Sequence, residues 1–116
     1  MDETTTLSIE QLSANILLIS IFGDLDSMGT HQIEDSFANA VNDRAGLFVV
    51  DLANVGFVSS AGMAMLLVRG KALKQGGGRM VISGANQRVK DSLALAGFDE
   101  LFKFFKSIAE AEKALQ

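Results

Sequence analysis

Two adjacent serines, Ser59 and Ser60, stand where a β-prone stretch gives way to a long apolar run without proline, Val49 to Leu67. The order Phe57-Val58-Ser59-Ser60-Ala61-Gly62-Met63 reads as strand, turn and helix. A hydroxyl at a helix start sits beside unpaired backbone N–H groups and the positive end of the helix dipole. It can cap the helix, or it can carry a phosphate. Two carboxylates form a second group, in Gly23-Asp24-Leu25-Asp26, where the second strand is left. On spacing alone they are turn and helix-capping acids. Met63 and its neighbours could offer soft, adaptable contacts to a partner. Gly62, costing about 1 kcal/mol in a helix interior relative to Ala, would permit close approach of another backbone.

Enzyme motifs are broken or missing. Val58 stands where a Gly-x-Ser-x-Gly elbow around Ser60 needs its first glycine. His31 is the only histidine and reads as a surface residue of the first helix; a serine hydrolase using Ser60 would require it to reach that hydroxyl. Gly76-Gly77-Gly78 lacks the remainder of a dinucleotide or P-loop fingerprint and reads as a flexible connection. With no Cys and a lone His, a transition-metal site is not expected, nor is any cofactor.

The elements that must position these residues follow from periodicity. Leu7 to Leu12 alternates as a half-buried strand, and Ser13-Ala14-Asn15 turns the chain. Ile16 to Phe22 is a continuous β-prone run, read as a buried strand. Ser27 or Thr30 is expected to cap a helix carrying Ile33, Phe37, Ala40 and Val41, closed by Arg44-Ala45-Gly46. Strand three spans Leu47 to Leu52 and helix two about Ser60 to Gln75, apolar almost all round and so mostly buried. Met80 to Ser83 is a fourth strand, and Asn86 caps a helix holding Val89, Leu93 and Leu95, stopped at Gly97. Phe102 to Phe105 suits a short edge strand, and Ser107 caps a final helix to Gln116. A hairpin followed by alternating helix and strand implies an α/β domain, with a mixed, mostly parallel sheet of four to five strands and about four helices.

Composition narrows the classes. The 116 residues have the size of one domain, and 48% hydrophobic content supports a core. The net charge of −4 argues against a nucleic-acid partner. Lys71, Lys74, Arg79, Arg88 and Lys90 read as a solvated surface, interspersed with acids, and the Phe residues as core. No apolar run is long enough for a membrane span and no signal peptide is visible, so no membrane is expected and the cytoplasm is the expected address.

Asp51-Leu52 followed by Val55-Gly56-Phe57-Val58-Ser59-Ser60-Ala61-Gly62-Met63, with Gly23-Asp24-Leu25-Asp26 upstream, resembles the signature of the STAS domain across nearly the whole chain, residues 1–116. That fold is shared by bacterial anti-sigma factor antagonists and the tails of sulphate transporters. The resemblance implies a non-enzymatic binding protein of the antagonist type. Unphosphorylated, it would bind an anti-sigma factor that is itself a serine kinase, and so release a sigma factor. It implies Ser60 as the phosphoacceptor, a phosphoserine phosphatase as second partner, and a partner surface comprising Asp24, Asp26, Ser59, Ser60, Gly62 and Met63. The family carries Asp at the position of Ser59; the change removes a carboxylate beside the acceptor. A stressosome-like scaffold or another STAS signalling subunit is the alternative within the class.

Overall fold

The computed structural model describes residues 4–43, 45–97 and 101–116. Five strands form one sheet in the order β1-β2-β3-β4-β5: Thr6–Ser13, Ile16–Phe22, Leu47–Asn54, Arg79–Ser83 and Phe104–Phe105. The hairpin β1–β2 is antiparallel, and every later pairing is parallel. Four helices lie among the described residues: α1 (Ser27–Ala40), α2 (Ser60–Gly76), α3 (Gln87–Leu95) and α4 (Ile108–Leu115). The mixed α/β architecture is the expected one.

Alternation along the central strands divides the core between the two faces of the sheet. Ile19, Ile21, Val50, Leu52 and Ile82 pack with Phe37, Leu66, Leu73 and Leu93 of α1, α2 and α3. Ile16, Leu18, Val49 and Val81 point the other way, onto Ala111 and Leu115 of α4. Each fully buried Leu or Ile here is worth about 1.5–3 kcal/mol relative to exposure, so both faces hold the sheet rigid. The loops after β2 and β3 project from this rigid base.

Several expectations shift. The cap of α1 is Asp26, whose carboxylate accepts from Gly29 N at 2.7 Å, and not Ser27 or Thr30. Asp26 is extended (ψ −174°), as a cap must be, whereas Ser27 and Thr30 lie within the helix. Gly76-Gly77-Gly78 is a helix stop rather than a flexible link. Gly77 is left-handed at φ 87°, and Gly78 N donates to Leu73 O at 2.8 Å, closing the last turn of α2. Leu95 is 91% exposed, because the short α3 turns its face inward only at Val89 and Leu93. Phe102 precedes the short strand β5 and is buried against Gly70 of α2. The Phe residues are not all core: Phe22 and Phe57 are exposed. Helix α2 is not buried all round either, since Val68 is 59% exposed. Arg44, expected at the close of α1, lies outside the described residues.

Candidate functional site

The site forms where the loops after β2 and β3 meet. These loops are stitched together residue by residue. Gly23 N donates to Asn54 O at 3.1 Å, Leu25 N to Phe57 O at 2.9 Å, and Ser59 N to Leu25 O at 2.8 Å. Leu25 and Val58 form an isolated parallel bridge, and both are buried. Asp24 Oδ1 accepts from Gly56 N at 3.2 Å, tying one expected site residue to the neighbouring loop. From the other side, Thr5 Oγ1 donates to Asp24 O at 2.7 Å and Thr5 N to Gln32 Oε1 at 2.8 Å. The acidic loop is thus fixed on both flanks.

The adjacent serines have different environments. Ser59 is the N-cap of α2: its Oγ accepts from Gly62 N at 3.3 Å and donates to Leu25 O at 2.8 Å. An aspartate could accept the first bond but could not donate the second. Ser60 begins the helix, is exposed, and its hydroxyl makes no hydrogen bond among the described residues. It stands beside the N–H groups of the first turn, where an added anion is electrostatically favoured.

Gly62 is buried, and a Cβ on it would come within 2.8 Å of both Cβ and the carbonyl oxygen of Leu25. The close backbone approach expected for this glycine is therefore made by the acidic loop of the same chain. Met63 is half-buried and packs on the main core. Asp26 is exposed while one of its carboxylate oxygens caps α1, and a carboxylate has further acceptor capacity. All six expected residues thus belong to one surface region, with Ser60, Asp24 and Asp26 exposed and Gly62 buried beneath them.

Two surface features were not expected from the sequence. Met28, in the first turn of α1, is 71% exposed. Arg88 of α3 stacks over the Phe57 ring, 5.5 Å from its centroid, so Phe57 serves as a surface platform. His31 is exposed and its Nδ1 lies 3.4 Å from Glu34 Oε1; no hydrogen bond joins it to Ser60. Among the described residues no group of His, Cys, Asp and Glu could hold a metal ion, and no helix is long and apolar enough to cross a membrane.

The sequence and fold are similar to those of known proteins. A family model described as STAS domain matches residues 9–111. A candidate anti-sigma factor antagonist of Bordetella bronchiseptica, BtrV, is 27% identical over 101 residues, spanning 87% of each chain. The crystal structure of an anti-sigma factor antagonist from Mycobacterium paratuberculosis superposes with a TM-score of 0.85 at 21% identity, covering 99% of this chain and 97% of that one. The Bacillus cell fate determinant SpoIIAA in its phosphorylated form gives a TM-score of 0.73 at 19% identity, covering 96% and 100%.

Proposed function

The chain belongs to the STAS domain family, and from that premise we propose that it is an anti-sigma factor antagonist switched by phosphorylation of Ser60. Without phosphate it binds an anti-sigma factor with serine-kinase activity and frees a sigma factor. With phosphate it does not, and a phosphoserine phosphatase restores it. The chain itself catalyses nothing; ATP belongs to the kinase, and no cofactor, nucleic acid or membrane enters the cycle. The cytoplasm is where such partners meet.

One observation carries the reading: of two adjacent serines, Ser59 is occupied as cap and tether, whereas Ser60 is exposed and its hydroxyl is unbonded among the described residues. A phosphate on Ser60 brings about −1.5 to −2 charges at neutral pH. The helix N-terminus tolerates that charge, so the fold survives and the change is felt by the partner. Asp24 and Asp26 flank the acceptor on the loop that Leu25 pins beneath it, giving the kinase a fixed acidic edge to read. His31 makes no hydrogen bond to Ser60 and contacts Glu34 instead, which disfavours the hydrolase alternative, since that needs a placed general base.

The test is direct. The cognate kinase with ATP should add one phosphate, placed on Ser60 by peptide mass spectrometry, and the product should lose the anti-sigma factor in a pull-down. Modification of Ser59 alone, or undiminished binding of the phosphoprotein, would overturn the assignment.

A further inference from the structure

A second feature lies on β4, α2 and the segment entering β5. A cavity of about 240 Å³ opens between Gly70 and Lys74 of α2, Gly78 to Val81, and Leu101 to Lys103. Its apolar part is the half-buried Leu101, above Phe102 and Met80, which are themselves buried in the core. Its charged lining among the described residues is cationic only, Lys74, Arg79 and Lys103. The other described cavities that hold a cation each include a carboxylate as well, Glu34 and Asp35 beside Arg69, or Glu110 beside Lys106 and Lys113. The sequence dispersed these cations among acids; folding assembles three of them around one cavity in a chain of net charge −4.

None of the three is in an ion pair among the described residues. Lys74 lies in the last turn of α2, where it offsets the negative end of the helix dipole. Among the described residues Arg79 and Lys103 have no counter-charge, and their backbone groups are already used: Arg79 N donates to Gly46 O at 3.0 Å and Lys103 O accepts from Ile82 N at 3.0 Å. The two residues are therefore anchored at the root and exposed. The rim of Gly78 comes from the left-handed stop at Gly77, which turns β4 away from α2 and leaves the opening.

We propose that this cavity binds a small phosphate monoester, its dianionic head on Arg79, Lys103 and Lys74 and its short carbon portion against Leu101. A monoester carries nearly two charges at neutral pH, which unpaired Arg and Lys side chains meet through charge-assisted hydrogen bonds, Arg in a two-pronged fashion. The volume falls below the roughly 300–1,000 Å³ of pockets that enclose drug-sized ligands, which favours a small metabolite over a nucleotide. The cavity shares no lining residue with the Ser60 region.

Phenyl phosphate is a suitable probe, followed by amide NMR of the isotope-labelled chain. Saturable shifts are expected at Gly70, Gly78, Val81 and Lys103, with inorganic phosphate and phenol each binding more weakly. Arg79→Gln and Lys103→Gln should each weaken binding about tenfold or more, the loss of one charge-assisted bond. Lys71→Gln, on the exposed side of α2 and outside the cavity, should leave binding unchanged, as should Ser60→Ala. The proposal is overturned by absent or non-saturating shifts, by an equal loss in Lys71→Gln, or by shifts centred on Ser60. It is equally overturned if a Glu-rich peptide binds through these cations while phenyl phosphate does not, which would make the cavity an interface for an acidic protein segment.

Discussion

Replacing Ser59 by Ala removes two hydrogen bonds of unequal weight. The first is the cap, from Gly62 N at 3.3 Å, slightly beyond the usual N–H···O range. Losing an N-cap hydroxyl costs about 1 kcal/mol, and this long bond belongs in the lower half of the observed spread. The second is the bond donated to Leu25 O at 2.8 Å. Leu25 O also accepts from Ser59 N at 2.8 Å, so it is not orphaned when the hydroxyl goes. Its loss therefore stays near the ordinary net value of about 1 kcal/mol, without the extra penalty of an unsatisfied buried acceptor. Ser59→Ala should thus lose about 1–2 kcal/mol in urea melts, and its thermal midpoint should fall by about 4–9 °C for a domain of this size. Phosphorylation of Ser60 should persist, since Ser60 makes neither bond. Ser59→Asp separates the two contributions: it restores the cap acceptor beside a favourable dipole but cannot donate to Leu25 O. Its stability should fall between those of Ser59→Ala and wild type. A loss under about 0.5 kcal/mol for Ser59→Ala, within the range of a neutral surface change, would refute the tether. Ser59→Asp less stable than Ser59→Ala would refute the primacy of the cap.

Ser60→Asp should remain folded, because an acid in the first helical turn gains about 0.3–1 kcal/mol from the dipole, yet bind the anti-sigma factor more weakly than Ser60→Ala in a titration. Asp26→Asn should keep its stability, as Asn caps as well as Asp, while weakening kinase binding or phosphorylation; Asp26→Ala should in addition lose about 1 kcal/mol, read from denaturant melts. Gly70→Ala would drive a Cβ into the Phe102 ring. Overpacking costs about 1–3 kcal/mol and the better helix propensity returns up to about 1 kcal/mol, so a net loss is expected in urea melts; a stabilised variant would mean that the ring moves aside freely.

By itself the sequence determined the strands, the helices and their alternation, because those signals are local: period two in Leu7 to Leu12, continuous β-branched runs in the central strands, helical spacing of Ile33 and Phe37. It also marked Ser59 and Ser60 at the start of α2, since the run of types around them carries the family signature. Tertiary structure alone decided how the serines differ. The partner that occupies Ser59 is Leu25, 34 residues away, and no local pattern encodes a bond across that distance. The same holds for Gly62, whose missing side chain makes room for the Leu25 backbone; the cap at Asp26 is by contrast a local bond to Gly29, three residues on, and a capping acid there was legible from spacing. Lys74, Arg79 and Lys103 look dispersed along the chain because charge in sequence says nothing of direction in space. Only the pairing of β4 with β5 and the stop at Gly77 bring them around one cavity.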